Sequence, residues 1–247
     1  MIKIHEVDDL KVISTSVSNF SDSLGYCEHK IPFHLEGITA PPSVETIQGT
    51  KAHKQEDVIE EEQFEFEPIT TEQLTDITND IEFKREKVYT KLQIPFNIGS
   101  EDVLVSLFGR ADKVYRINET LVVQDDKFPT NLNKYKERYE PYPDQILQAL
   151  TYLNSLYSDK MGDSLEDWFD IPHKEKSWII QIKDKHNQNE PYKIFRGTQT
   201  DEALGFLHYN IERFAKLVLG VEEREHHNSA NKCKPCRYAD KCEFVIK

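Results

Sequence analysis

The sequence predicts an α/β fold: a mixed central sheet flanked by helices. Hydrophobic spacing along the chain runs from helical to strand-like, then to a helix, further strands and a last helix, an order that suits a sheet with helices packed on it. At 247 residues the chain can bury one sizeable core with a small appendage. No stretch approaches the roughly 20 consecutive apolar residues of a membrane helix. There is no internal repeat and no long Pro/Gly/Ser linker.

Residues 14–36 read as a helical entry, with Ser16 or Ser18 as cap and Phe20, Leu24 and Cys27 at helical spacing. Pro41-Pro42 breaks the chain. Ser43 is placed to cap a following helix that carries Gly49, Lys51, His53, Lys54 and Glu56. Residues 87–96, 104–116 and 120–124 read as strands, with 116–119 as the turn between the last two. Residues 142–157 have helical spacing, with Ile146, Leu147, Leu150, Leu153 and Leu156 on the apolar side. Two strands follow at 178–183 and 192–195, joined by the polar turn 185–190. Residues 200–219 form a last amphipathic helix.

The formal net charge of −13 looks unsuited to a nucleic-acid binder, but it is concentrated. Residues 45–82 hold twelve acids against Lys51 and Lys54, a net of −10, so the remainder is only −3. This acidic segment, with Glu60-Glu61-Glu62 at its centre, reads as a solvated helix face or loop. A near-neutral remainder leaves room for a basic groove. The first residues, Met1 to Glu6, lack the apolar stretch of a signal peptide, so the expectation is a soluble cytoplasmic protein.

The chemistry points to two short stretches. Val122-Val123-Gln124-Asp125-Asp126-Lys127 is an apolar run ending in an acid, a spacer and a lysine. Gly109-Arg110-Ala111-Asp112 places a second acid thirteen residues earlier. Two neighbouring carboxylates can hold a hard divalent cation. A lysine beside them can orient a water and neutralise charge developing on a phosphate. This is the equipment of a metal-dependent phosphodiesterase. The alternative reading of Asp112 is a strand-end salt bridge with Arg110 or Lys113. Three of the four cysteines, Cys233, Cys236 and Cys242, crowd the C-terminal end, and Cys27 lies about 200 residues away. In a cytosolic protein such clustering argues for a metal rather than disulfides, and four thiolates suit either zinc or a [4Fe–4S] cluster.

These residues fall in an order that resembles the RecB-type nucleases of the PD-(D/E)XK superfamily that carry a four-cysteine iron–sulfur cluster. The CRISPR-associated RecB-like exonucleases are the most similar members, and exonuclease V shares the plan. Cys27, Gly49 to His53, Gly109 to Asp112, Asp125 to Lys127, Gln148 to Tyr152, and Cys233, Cys236 and Cys242 match the family's successive motifs. The resemblance implies one restriction-endonuclease-like domain over 1–247, with Cys27 and 233–242 forming a cluster-binding module. It implies Mn²⁺ or Mg²⁺ held by His53, Asp112, Asp125 and the backbone carbonyl of Asp126. It gives Lys127 the attacking water or the transition-state charge, and brings Gln148 and Tyr152, which share a helix face, to the site. Gln145 is a nearby alternative to Gln148, but Ala149 rather than a tyrosine follows it by four. The cluster is expected to be structural. Two features depart from the family: Asp126 stands where an aromatic is usual, and the acidic segment is long.

The expected activity is that of a metal-dependent DNA exonuclease acting on single-stranded ends, in its specific form processing prespacers beside a CRISPR integrase. The alternatives are an exonuclease V-like repair nuclease, or a cluster-bearing DNA-binding or adaptor subunit with little catalysis. Lys134, Tyr135, Lys136, Arg138 and Tyr139 form a basic, aromatic stretch suited to a single strand, or else an exposed loop.

Overall fold

A computed structural model describes residues 1–38, 51, 81–117, 119–158, 163–165 and 175–247. Most of the acidic segment, including His53 and the helix expected to carry it, lies outside the described residues.

The chain opens with a hairpin, β1 (Lys3–Val7) and β2 (Leu10–Ser16). Helix α1 (Val17–Gly25) follows directly, and the Ser16 hydroxyl caps it by accepting the Asn19 N–H at 3.2 Å. The helical entry expected from residue 14 is therefore strand as far as Ser16. Cys27 sits outside any helix, before a 3-10 turn over Glu28–Lys30 and the short α2 (Ile31–Leu35). Two long strands, β3 (Ile81–Ile98) and β4 (Glu101–Ile117), form a hairpin, and β5 (Thr120–Lys127) turns back along β4. Helix α3 (Pro143–Leu153) leads into β6 (Leu156–Ser158), then β7 (Glu175–Asp184) and β8 (Asn187–Thr198) pair as a hairpin. Helix α4 (Asp201–Leu219) starts at Thr200, whose hydroxyl accepts the Ala203 N–H, and stops at Gly220, which has φ 72°. The short α5 (Ala230–Cys233) precedes the last cysteines. The helix expected to reach residue 157 ends at Leu153. Leu156, placed above on its apolar side, is 64% exposed in β6, and Tyr157 is the buried residue instead.

The sheet is mixed, ordered β1-β2-β4-β5-β7-β8, with β3 beside β4 and β6 beside β3. Parallel pairs β2–β4 and β5–β7 are set among antiparallel ones. Strand β3 pairs with β4 along nearly its whole length and so occupies one edge of it. Strands β2 and β5 must then share the other edge. β2 takes Val103 to Phe108, and β5 takes Lys113 to Ile117. The residues between them on that edge are Gly109, Arg110, Ala111 and Asp112.

Helices α1, α3 and α4 pack together and onto the sheet. Phe20 of α1 and Phe214 of α4 meet edge to face, with centroids 5.4 Å apart. Val103, Val105, Leu107 and Ala111 of β4 join this core at alternate positions, as a half-buried strand requires. Val114 is also in the core, three residues after Ala111. Among the described residues no helix is long and apolar enough to cross a membrane.

Candidate active site and cysteine centre

Strands β4 and β5 part at the pair Lys113–Gln124. Beyond it, the Asp126 N–H donates to Asp112 Oδ2 at 2.8 Å in place of a backbone carbonyl. The fork thereby holds Asp112 against β5, and neither Arg110 nor Lys113 is its partner in this contact.

The two-residue period of β5 sorts its last side chains. Leu121 and Val123 belong to the core under the helices, so Asp125 and Lys127 share their face, beneath α3. Lys127 Nζ lies 2.7 Å from Asp125 Oδ2 and donates to Gln148 Oε1 at 2.8 Å. Gln148 Nε2 in turn donates to the Tyr152 hydroxyl at 3.0 Å. Asp112, Asp125, Lys127, Gln148 and Tyr152 are thus brought to one place. Tyr152 is at once core and site: its ring is buried, and its hydroxyl closes the chain of contacts. Gln145 has other work, accepting the Tyr142 N–H at the start of α3 and donating to the Tyr135 hydroxyl.

The spacing of Gly109 has a steric reason. A Cβ there would lie 2.8 Å from Tyr152 Cε1 and 3.1 Å from Val17 Cγ2. Gly109→Ala is therefore expected to push the Tyr152 ring and, through Gln148, to loosen Lys127. The overpacking should cost about 1–3 kcal/mol, and displaced catalytic geometry should lower turnover by up to about a hundredfold. Thermal melts and turnover on one substrate check both. A variant with unaltered turnover would show that the close approach is not transmitted to Lys127.

Asp126 behaves oppositely to Asp125. It is 1% exposed and faces the other side of the strand. Its carboxylate accepts Gln124 Nε2 at 2.8 Å and Lys183 Nζ at 3.1 Å, with Lys113 Nζ at 3.6 Å. Tyr115 supports Gln124 from the neighbouring strand at 2.9 Å. Burial works to raise the Asp126 carboxyl, but Lys183 and Lys113 with the Gln124 hydrogen bond hold it below the usual range. The side chain is thus a structural anion, and only its backbone carbonyl is left for a metal. Sequence reading missed Lys113, Lys183, Gln124 and Tyr115. Lys113 and Lys183 reach Asp126 from other strands and leave no local signal except a lysine in an apolar strand, whereas Gln124 lies two residues before Asp126 on the same face of β5.

Asp125 carries the distinctive electrostatics. Its Oδ2 is buried, and the partner it meets is the Lys127 ammonium at 2.7 Å. Burial pushes its carboxyl up to about 7; Lys127 opposes this, while Asp112 and Asp126 add to it. Burial works against the Lys127 ammonium, yet Asp125 holds its proton more firmly than in a free lysine. Metal-free folded protein therefore keeps the Asp125 proton up to about pH 7, whereas the unfolded chain loses it near 3.8. Between those values the folded state binds more protons, so this stabilising contribution is complete below about pH 4 and is lost as pH rises through 7. In chelator, the melting temperature of the native protein is expected to fall relative to Asp125→Asn across that window. Parallel curves for the two proteins would refute the buried, proton-retaining carboxyl.

The basic, aromatic stretch divides. Tyr135 is buried against Tyr142 and Phe195, which corrects its reading as a strand-tracking residue. Lys193 donates to the backbone carbonyls of Tyr135 and Lys136. Tyr139 is 98% exposed. Arg138 lies over the Tyr142 ring, 3.9 Å from its centroid.

At the other end of the helical layer the two ends of the sequence meet. Tyr26 donates its hydroxyl to the Lys232 carbonyl at 2.6 Å, and Lys232 Nζ returns a bond to the Tyr26 carbonyl at 3.3 Å. Arg213 grips Glu28 through two bonds of 2.8 and 2.9 Å, and Glu28 also accepts the Glu225 N–H. Four free cysteines gather here: Cys27 and Cys233 are buried, Cys236 and Cys242 half-buried. Burial raises the Cys27 thiol, and the nearby Cys236 and Cys242 add to that rise. His226 and His227, which the motif reading passed over, bring ring nitrogens to within 4.8 Å of each other and of Cys27 Sγ. Their position six and seven residues before Cys233 was the available signal.

No family model and no curated protein matches the sequence. In fold the chain is similar to the crystal structure of SSO0001, at 12% identity and a TM-score of 0.49, covering 98% of this chain and 90% of that one. It is also similar to a candidate exonuclease from Eubacterium rectale, at 16% identity and a TM-score of 0.45, covering 94% and 89%. Likeness at this level carries no weight for function, which rests on the chain's own geometry.

Proposed function

We propose that this chain is a divalent-cation-dependent deoxyribonuclease of the RecB-like PD-(D/E)XK type, acting on single-stranded DNA ends. The observation that carries the reading is the convergence at one strand fork of the buried Asp125 carboxylate, Asp112 held by the Asp126 N–H, and Lys127, which pairs with Asp125 at 2.7 Å and is tethered by Gln148. Two carboxylates held this close repel each other, and a cation between them relieves the repulsion. Asp112, Asp125 and the Asp126 carbonyl offer the hard oxygens that Mn²⁺ or Mg²⁺ prefers, and His53 is the proposed nitrogen ligand. When bound, the cation supplies Lewis acidity at a phosphoryl oxygen and lowers the pKa of a coordinated water.

The rest belongs to the protein. Asp112 is fixed by the Asp126 N–H, so one ligand is set by the strand fork itself. Lys127, held at Nζ by Gln148, presents its charge where the phosphate becomes more negative as water attacks and the ester oxygen leaves. Tyr152 and Gln148 limit the wandering of that ammonium. The four cysteines are proposed to hold a [4Fe–4S] cluster that joins the chain ends. The donor set fits, being four free thiols gathered from both ends of the sequence.

The test is digestion of end-labelled single- and double-stranded DNA with Mn²⁺, Mg²⁺, Ca²⁺ or chelator. Mn²⁺ is expected to serve at least as well as Mg²⁺, and Ca²⁺ not to serve. Cleavage in chelator, or none with any cation, would overturn the reading. Copurification with a CRISPR integrase tests the prespacer-processing form against a repair role.

A further inference from the structure

His226 and His227 look at first like ligands. Each Nε2 lies 3.8 Å from Cys233 Sγ, and both rings reach Cys27 as well. The opposite ring nitrogens argue otherwise. His227 Nδ1 accepts the Ser229 N–H at 3.0 Å, and His226 Nδ1 accepts the Asn228 N–H at 3.2 Å. The Asn228 side-chain oxygen is farther from His226 Nδ1, at 3.4 Å. A backbone amide can only donate, so each Nδ1 is the unprotonated nitrogen and the neutral ring carries its proton on Nε2. A histidine that binds metal through one nitrogen offers N–H at the other to a carbonyl, carboxylate or water. Here those positions face donors. Both Nε2–H groups therefore point at sulfur, and the Ile246 N–H adds a third donor to Cys233 Sγ at 3.4 Å.

We propose that His226 and His227 are N–H donors to the Cys233 sulfur, positioning residues that raise the reduction potential of the cluster and are not its ligands. This rests on the reading of the four cysteines as an iron–sulfur site and is independent of the nuclease reading. An N–H···S bond draws charge from the thiolate and so favours the more negative, reduced cluster. Cys233 becomes the most charge-compensated corner of the centre.

The experiment uses the full chain, reconstituted anaerobically with ferrous iron and sulfide. A redox titration is followed by absorbance and electron paramagnetic resonance, with nitrogen hyperfine spectroscopy on the reduced form. Three proteins are compared: the native chain, His226→Leu with His227→Leu, and His226→Gln with His227→Gln. A glutamine amide can place an N–H near the lost Nε2 but is a poor substitute for a ligating imidazole. The leucine pair is expected to keep its iron and sulfide, while its reduction equilibrium shifts about tenfold toward the oxidised form, 59 mV for a one-electron couple. The glutamine pair should recover most of that shift. An unchanged potential in the leucine pair would overturn the inference. So would loss of iron from both pairs, or strong coupling to a directly bound imidazole nitrogen. Native protein that takes up no iron and sulfide would end it together with the cluster reading, and would leave the Asp125 site untouched.

Discussion

Asp125→Asn is expected to abolish cation-dependent DNA cleavage, by on the order of a thousandfold or more, while the protein stays folded. Asparagine fills the same space but cannot supply the buried anionic oxygen that Asp125 offers to a cation. The Lys127 ammonium loses its 2.7 Å partner and keeps Gln148, so it remains tethered in a site with too little negative charge to hold a cation. Stability should be unchanged or higher, because a carboxyl raised to about 7 by burial is a charge the fold accommodates poorly. Asp126→Ala is the matched control one residue away. It leaves Lys183 and Lys113 buried around a missing anion, and breaking such a pairing costs about 3–5 kcal/mol. The same motif should therefore separate into an acid needed for cleavage and an acid needed for folding. Turnover of freshly purified protein, with melts on the same preparations, measures both. Near-normal cleavage by Asp125→Asn would remove the catalytic assignment.

That division was only half legible in the sequence. Asp125 and Lys127 are two apart in a strand, so period alone puts them on one face, and the helix period does the same for Gln148 and Tyr152. Gly109 was legible as a motif position, but its reason, the Tyr152 ring against its Cα, exists only once α3 lies over β4. The Asp126 ion pairs were invisible because Lys183 is fifty-seven positions away. The opening hairpin was missed for a different reason. Residues Lys3 to Val7 are all exposed, so β1 has no buried face to imprint alternation on the sequence. Leu156 misled in the opposite sense, as an apolar residue that continues the helical spacing of α3 past the Leu153 end. Patterns record burial along one element. They do not record what a distant element brings.

Cys236→Ser is expected to produce the largest change in stability. Cys27 and the C-terminal cysteines close a loop of about 200 residues, and a cross-link over that span restrains the unfolded chain by roughly 5 kcal/mol in the chain-entropy account. Removing one of four ligands should empty the centre of iron and sulfide. For a chain of this size the melting temperature should then fall by about 10–20 °C. Complete unfolding is not expected, because the ends are also tied without metal, by the Tyr26–Lys232 bonds and by Arg213 on Glu28. Cleavage per folded molecule should stay within a few-fold, since none of the cysteines belongs to the fork that holds Asp112, Asp125 and Lys127. Protein purified without oxygen should be brown, and the variant colourless. Colourless native protein with one equivalent of zinc and no iron would overturn the cluster and leave the nuclease standing. A variant that loses its metal but melts with the native protein would show instead that the Tyr26 and Glu28 contacts already hold the two ends, and that the centre serves something other than stability.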